Sequence, residues 1–355
     1  MIKIKIGNST ISHNSQTYFI ADIAANHDGD LEKAKDLIYM AKEAGANAAK
    51  FQHFKAKSIV SDYGFKDIGF KSGHQKAWKK SVFEVYQDAE VPLRWTEELH
   101  DTCKKAELDF FTSPYDMNDI DYINNYVPAY KVGSGDVTYH DIVTKMASYN
   151  KPMLIATGAS DIQDVIEIIE KVSKINQQLI LMQCNTNYTA KSENFKYINL
   201  NVLKTYSLMF PYAILGLSDH TLGHSTVLGA VALGARVIEK HFTNDNSLEG
   251  PDHKFSMNPT TWKEMMERTQ ELECSLGSAI KKVENNEKET YILQRRCLRT
   301  TRMLKKGEVL NADMLEPLRP APIGSLLPYE LKDLIGLTIN KNIEYGKDIK
   351  WGDLI

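Results

Sequence analysis

The chain has 355 residues, 43% of them hydrophobic, with 43 Lys and Arg against 46 Asp and Glu for a formal net charge of -3. That is enough apolar material for one large domain and a smaller one, and the scattered cations exclude a basic face that would bind nucleic acid or an anionic membrane. No apolar run approaches the ~18 residues of a membrane span. The four cysteines, Cys103, Cys184, Cys274 and Cys297, show neither CxxC spacing nor an accompanying signal-peptide apolar region, which predicts reduced thiols and a cytoplasmic protein.

Along the chain, short β-branched or aromatic runs alternate with amphipathic helical stretches. Candidate strands cover 17–24, 48–54, 109–115, 129–135, 152–158, 179–185, 212–219 and 236–242. Helical segments fit between them. In the first, Leu31, Ala34, Leu37, Ile38 and Ala41 share one face, and Gly45 supplies the stop. Eight βα units over about 275 residues predict an α/β fold of the TIM (β/α)8 barrel type, with residues 1–275 as the catalytic domain. A doubly wound sheet is the alternative, but no GxGxxG follows the first strand. The segment 55–92, rich in Lys and aromatic residues, either covers the barrel mouth or is a solvated excursion.

Beyond 275 the chain is charged and weakly periodic, a linker over 276–297. A small domain of residues 298–355 follows. In it "LKKGEVLNADM" is echoed by "IEYGKDIKWGDL", with Gly307 and Gly346 spaced 39 apart, which predicts a compact two-fold arrangement of short strands and turns. A domain this small is near the lower limit for an independent core, so it is expected to dock elsewhere.

A barrel places its chemistry at the C-terminal ends of its strands. Polar residues gather there: Asp22, Asn26, His27, Lys50, Gln52, Thr112, Lys131, Ser134, Thr157, Asn185, Ser218, His220, Glu239 and His241. Strand alternation pairs Lys50 with Gln52, Ser218 with His220 and Glu239 with His241 on common faces. His220 and His241 end the seventh and eighth strands, which are neighbours, so their imidazoles can converge on one divalent ion. A single histidine would more simply satisfy a local hydrogen bond; the matched positions favour the metal. Two imidazoles leave positions open for oxygen ligands, the requirement of a Lewis acid, and favour Mn²⁺ or Mg²⁺ over a closed zinc site. Lys50 and Lys131, with Ser134 and the glycines of "GSG", suit a phosphate. Two alternatives stay open: a solvated rim charge, and a Schiff-base lysine of the kind a pyruvate aldolase uses.

The motifs "NHDGD", "KFQ", "KVGSGD", "ATG", "GLSDHT", "EKHFT", "GPDHKFSMNP", "RRCLR" with "KKGEVL", and "LRP" together resemble the sialic acid synthase family, in which a TIM barrel is joined to a C-terminal antifreeze-like domain. The resemblance covers essentially the whole chain. It implies condensation of phosphoenolpyruvate with an open-chain N-acetyl hexose, N-acetylmannosamine or a related aldose, to a nine-carbon 2-keto-3-deoxy acid and phosphate. By position it assigns the metal to His220 and His241, and phosphoenolpyruvate to Lys50, Thr112, Lys131, Ser134 and Ser218. The acceptor, or water at the metal, falls to Asp22, Gln52, Asp136, Tyr188 and Asp252, with Asp22 as the leading proton-transfer group. It further implies a homodimer in which Arg319 of "LRP" reaches the acceptor's acylamino group in the partner chain.

The chain departs from the family pattern at four places, one of them "NTNYTA" (185–190), which scrambles the usual asparagine and proline around Tyr188. Asp22 and Asp136 stand where "EIG" and "GSGE" have glutamates, each shorter by one methylene, and Ala156 stands where a phosphate-binding serine precedes "TG". The acceptor's identity stays open. A Schiff-base pyruvate aldolase and a sugar-binding barrel without turnover are the alternative functions.

Overall fold

The computed structural model describes residues 2–68, 75 and 78–355. The chain divides into two compact units, Met1–Gly277 and Ser278–Ile355.

The first unit opens with a hairpin, β1 (Lys3–Ile6) and β2 (Ser9–Ser12), paired antiparallel. Eight parallel strands follow: β3 (Tyr18–Asp22), β4 (Ala48–His53), β5 (Asp109–Pro114), β6 (Tyr130–Val132), β7 (Met153–Ala156), β8 (Leu179–Cys184), β9 (Ile214–Asp219) and β10 (Ala235–His241). Their order, β5-β4-β3-β10-β9-β8-β7-β6, makes the first and last barrel strands neighbours, with Ile20 opposite Glu239 and Asp22 opposite His241. β5 and β6 lie side by side and complete the ring. This is the predicted TIM barrel, with its strands within a few residues of where the periodicity puts them.

Both faces of these strands are apolar because each is covered. Phe19, Ala21, Phe51 and Phe110 point outward and pack on helices, among them Leu31–Glu43 through Ala34, Leu37, Ile38 and Ala41. That helix begins where the Asp30 carboxylate accepts from the Glu32 and Lys33 amides. Inward-pointing Ile20, Ala48, Phe111, Leu154, Ile180, Ile214 and Val237 fill the barrel and join Ile4, Ile6 and Ile11 of the hairpin in one buried cluster. The hairpin, absent from the sequence reading, therefore plugs one mouth with its isoleucines while Lys3 and Lys5 stay exposed. That leaves the mouth at the strands' C-terminal ends open.

The segment after β4 carries short helices at Ala56–Ile59, Asp62–Ile68 and Val82–Asp88. The part of it at 69–74, 76 and 77 lies outside the described residues. Among the described residues no helix is long and apolar enough to cross a membrane.

In the second unit, a helix at Lys288–Leu293 sits inside the stretch read as linker, before β11 (Cys297–Thr300) and β12 (Leu315–Leu318). The repeat is a structural two-fold. Leu304 and Ile343, 39 residues apart, exchange backbone hydrogen bonds with each other, and the Gly307 amide donates to Ile339 O as the Gly346 amide donates to Thr300 O. Both glycines have positive φ, +91° and +74°, where a side chain would be strained. Leu298, Leu304, Leu310, Leu315, Ile339, Ile343 and Ile349 form the core of this unit.

Candidate active site

A cavity of about 490 Å³ opens among the strand C-termini. Its lining includes Asp22, Lys50, Gln52, Lys131, Ser134, Asp136, Tyr188, Ser218, His220, Glu239, His241 and Asp252, twelve residues that the barrel pattern singled out or the resemblance implied. Alternation brings the strand residues among them here, because odd and even residues of a strand point to opposite faces, and the loops after the strands add Ser134, Asp136, Tyr188 and Asp252.

Charged groups dominate its floor. Lys50 Nζ lies 2.7 Å from Asp22 Oδ2 and 3.8 Å from Glu239 Oε1, and Lys131 Nζ lies 3.1 Å from the same Glu239 oxygen. Ser218 Oγ donates to Glu239 Oε1 at 3.2 Å. Glu239 is the residue whose role sequence reasoning missed: it ties both lysines together, and its buried Oε2 has no hydrogen-bond partner. Burial disfavours the Lys50 ammonium, but Asp22 and Glu239 outweigh it and hold its pKa above the ordinary lysine value. Asp22 also accepts from the Ala24 amide at 3.1 Å and from Gln52 Nε2 at 3.2 Å. Ser134 Oγ accepts from the Gly158 amide at 3.0 Å. Gly133 has to be glycine, since a Cβ there would stand 2.5 Å from the Tyr115 hydroxyl.

His220 and His241 converge as their strand positions predict, with ring centroids 5.3 Å apart. His220 Nδ1 lies 2.9 Å from the Asn185 carbonyl, to which it donates, leaving Nε2 for the cavity. His241 Nδ1 is buried without a hydrogen-bond partner, and its Nε2 lies 3.6 Å from Asp22 Oδ2. Burial, then His220 and Lys50, push the His241 pKa well below its ordinary value, so it is a neutral imidazole with one nitrogen lone pair to give. Among the described residues no three His, Cys, Asp or Glu side chains enclose an ion-sized point. Two adjacent imidazoles at the open mouth suit a divalent site completed by oxygen ligands rather than a closed cage.

Tyr188 and Phe255 pack over the pair: Tyr188 lies 4.3 Å from His220 and Phe255 4.8 Å from His241, between ring centroids. Asp252 Oδ2 accepts from the Ala25 amide at 3.2 Å. Burial raises the carboxyls of both Asp252 and Asp136 to about 6.

Five of the barrel's candidate residues, Asn26, His27, Thr112, Thr157 and Asn185, do not line the cavity. Thr112 faces the helical layer, where its hydroxyl donates to Phe51 O at 3.1 Å and meets His53 Nδ1 at 2.7 Å, while His53 Nε2 meets Thr96 Oγ1 at 2.9 Å. Thr112 does not line the cavity. Phe111 and Ser113 occupy the inward register of β5, and Ser113 Oγ is buried without a well-formed hydrogen bond. Thr157 likewise turns away from the cavity, bonded to Met182 O and Tyr206. Asn26 is used structurally, donating to Phe242 O and Ser256 Oγ. Ala156 is buried in the barrel interior. Arg319 is exposed at the end of β12 in the second unit.

A closed βα-barrel with lysines, carboxylates and two histidines at its open mouth, followed by a small pseudo-two-fold unit, is the architecture that the sequence resemblance implies. Residues 37–281 match the NeuB family and residues 295–355 match the SAF domain. The chain belongs to the NeuB family. It is 33% identical over 340 residues to the N,N'-diacetyllegionaminic acid synthase of Legionella pneumophila, covering 94% of this chain and 93% of that one. It is 32% identical over 358 residues to a pseudaminic acid synthase of Campylobacter jejuni, covering 99% of each. The crystal structure of N-acetylneuraminic acid synthetase from Leptospira borgpetersenii, in complex with citrate, superposes with a TM-score of 0.71 at 25% identity, over 81% of this chain and 95% of that one.

Proposed function

We propose that this enzyme condenses phosphoenolpyruvate with an open-chain N-acylated hexose, N-acetylmannosamine or a related aldose, forming a sialic-acid-like nonulosonic acid and phosphate. The observation that carries this reading is the juxtaposition in one cavity of two buried lysines and an open pair of histidines. A trianionic substrate needs the first, and an aldehyde needs polarisation at the second.

In the overall reaction a C–C bond forms between the methylene carbon of phosphoenolpyruvate and the aldehyde carbon, whose oxygen ends as a hydroxyl. Water adds its oxygen to the phosphate-bearing carbon, and the bond from that carbon to the phosphate oxygen breaks. Lys50, Lys131, Ser134 and Ser218 bind and orient the phosphoenolpyruvate anion. His220 and His241 would hold Mn²⁺ or Mg²⁺, which when bound supplies Lewis-acid polarisation of the aldehyde. Asp22, kept close to His241 by Lys50 and Gln52, takes the proton that water gives up. Gln52, Asp136, Tyr188 and Asp252 face the acceptor. In the same reading the enzyme is a cytoplasmic homodimer whose acceptor site is completed by Arg319 of the partner chain.

The Schiff-base alternative needs a free amine. Lys50 is instead an ammonium held by two carboxylates, and that weighs against it. The deciding experiment is phosphate release from phosphoenolpyruvate across a panel of N-acylated aldoses, with and without added divalent cation. Release with at least one aldose, dependent on cation, is the expected result; borohydride trapping of pyruvate in place of release would establish the aldolase.

A further inference from the structure

His220 and His241 are held to the sheet unequally. His241 lies in register with Asp22 of β3, and the Phe242 amide donates to Asp22 O just beyond it. The pairings of β9, by contrast, end at Ser218 toward β8 and at Asp219 toward β10. Among the described residues no strand therefore holds the backbone at His220. Side chains behind the cavity do so instead. Asp219 Oδ1 accepts from the Thr221 amide at 3.1 Å and Oδ2 from the Thr221 hydroxyl at 2.9 Å, a local turn with His220 at its centre. Lys240, the residue before His241, closes this turn from the neighbouring strand: its ammonium lies 2.5 Å from Asp219 Oδ2 and donates to Thr221 O at 2.6 Å. Thr226 Oγ1, on the helix Ser225–Ala232, donates to the same carboxylate oxygen at 2.6 Å. Both charged side chains are only 1% exposed, and neither lines the cavity.

We infer that the buried Asp219–Lys240 pair is a positioning device for the metal site: it fixes the turn that carries His220 against the strand that carries His241, and so sets the separation of the two imidazoles. The inference rests on the reading of that histidine pair as the ligands of a divalent cation. Alternation makes the device possible, since Asp219 and Lys240 point away from the cavity while the histidines one residue on point into it. A buried ion pair is weak evidence for stability, because apolar side chains of similar volume commonly do as well. What such side chains cannot do is hold the amide, hydroxyl and carbonyl of Thr221 together, and an ion bound by two imidazoles tolerates little drift of either.

The test measures Mn²⁺ binding by the full chain in Lys240→Met and in the double variant Asp219→Asn with Lys240→Met, which leaves no unpaired charge. Partners that orient metal ligands from behind carry on the order of 10- to 100-fold of affinity. A loss of that size by calorimetry, with an altered electron paramagnetic resonance spectrum of the bound Mn²⁺, is expected from a double variant that circular dichroism shows to be folded. Affinity for phosphoenolpyruvate, measured without metal, should hold, because Ser218 and Glu239 stay within the β9–β10 ladder. Tyr18→Phe is the control: it removes the 2.6 Å bond to Asp109 near the plugged mouth and should lower stability without changing Mn²⁺ affinity. If neither Lys240 variant folds, Thr221→Val, which keeps both charges and removes only the hydroxyl bond to Asp219, carries the same comparison. Unchanged Mn²⁺ affinity and spectrum in the folded variant overturn the inference and leave the metal reading standing; so does an equal loss in Tyr18→Phe, or a parallel loss of phosphoenolpyruvate affinity. A parent that binds no Mn²⁺ removes the metal reading and the inference together.

Discussion

The Lys50 ammonium stands 2.7 Å from the Asp22 carboxylate, with both side chains only 2% exposed. A buried pair of this kind is fragile to the loss of one member, because the survivor keeps its desolvation cost without its partner. Lys50→Ala should therefore destabilise the protein by about 3 to 5 kcal/mol and also weaken phosphoenolpyruvate binding. Urea unfolding and calorimetry measure the two effects separately. A variant of normal stability that binds phosphoenolpyruvate normally would remove Lys50 from the anion site.

His220→Ala and His241→Ala should each abolish turnover and weaken binding of Mn²⁺ by well over tenfold with little loss of fold. His241 Nδ1 makes no hydrogen bond, its neighbouring carboxylate Asp252 Oδ2 standing 3.6 Å away, so truncation there breaks none at that atom, whereas His220→Ala gives up the 2.9 Å bond to the Asn185 carbonyl. Metal titration by calorimetry, with circular dichroism as the control for folding, checks this. Full activity of demonstrably metal-free enzyme in excess chelator contradicts the assignment.

Asp136 has a pKa raised by burial from 3.8 to about 6. If its carboxylate accepts from acceptor hydroxyls, kcat/KM for the sugar should fall as pH drops below about 6, and Asp136→Asn should make that limb shallower while lowering the plateau, the remainder of the limb belonging to Asp252. The stability effect runs the other way. A carboxyl with a raised native pKa favours folding below 3.8 and loses that contribution as pH rises through about 6, so at pH 8 Asp136→Asn should melt higher than the parent. Thermal melts at pH 5 and pH 8 distinguish the two behaviours.

The barrel was legible because apolar strands recur at regular spacing, and His220 and His241 were legible because each sits at a strand end that the fold makes adjacent. The second unit's two-fold was visible in Gly307 and Gly346. Three features of the site were not. "FFTSP" places two hydroxyl residues side by side in a strand buried on both faces, so the period cannot say which hydroxyl points inward. Glu239 reads as one more strand-end carboxylate until Lys50, Lys131 and Ser218 are seen to meet at it. Phe54 and Tyr86 come together only because the segment after β4 folds back on itself.

The phase of that strand is testable. Thr112→Val should remove the hydroxyl that joins Phe51 O to His53 and cost about 1 to 3 kcal/mol of stability, with the KM for phosphoenolpyruvate unchanged. Ser113→Ala should do the reverse, because its hydroxyl lies near the Tyr115 phenol without a well-formed hydrogen bond to lose, yet occupies the inward register of β5. Unfolding curves and steady-state kinetics on the two variants settle the register. A raised KM in Thr112→Val alone would return Thr112 to the substrate site.

Arg319 carries the claim of a shared site. Its side chain is exposed at the end of β12, while the neighbouring Pro320 carbonyl is held by the Arg299 guanidinium at 2.6 Å, so the loop is ordered and the arginine is presented outward. Arg319→Ala should raise the acceptor KM by at least tenfold and leave the phosphoenolpyruvate KM within about twofold, since a lost guanidinium contact to an acyl carbonyl does not touch the lysine site. Complementation then tests where the arginine acts. Unfolding and refolding an equal mixture of His220→Ala and Arg319→Ala chains creates heterodimers in which one site has both residues and the other has neither. With random pairing, activity should return to about a quarter of all sites in a two-fold dimer. If heterodimers form, shown by native mass spectrometry, and the mixture is no more active than the average of its parents, Arg319 serves its own chain and the shared-site proposal fails.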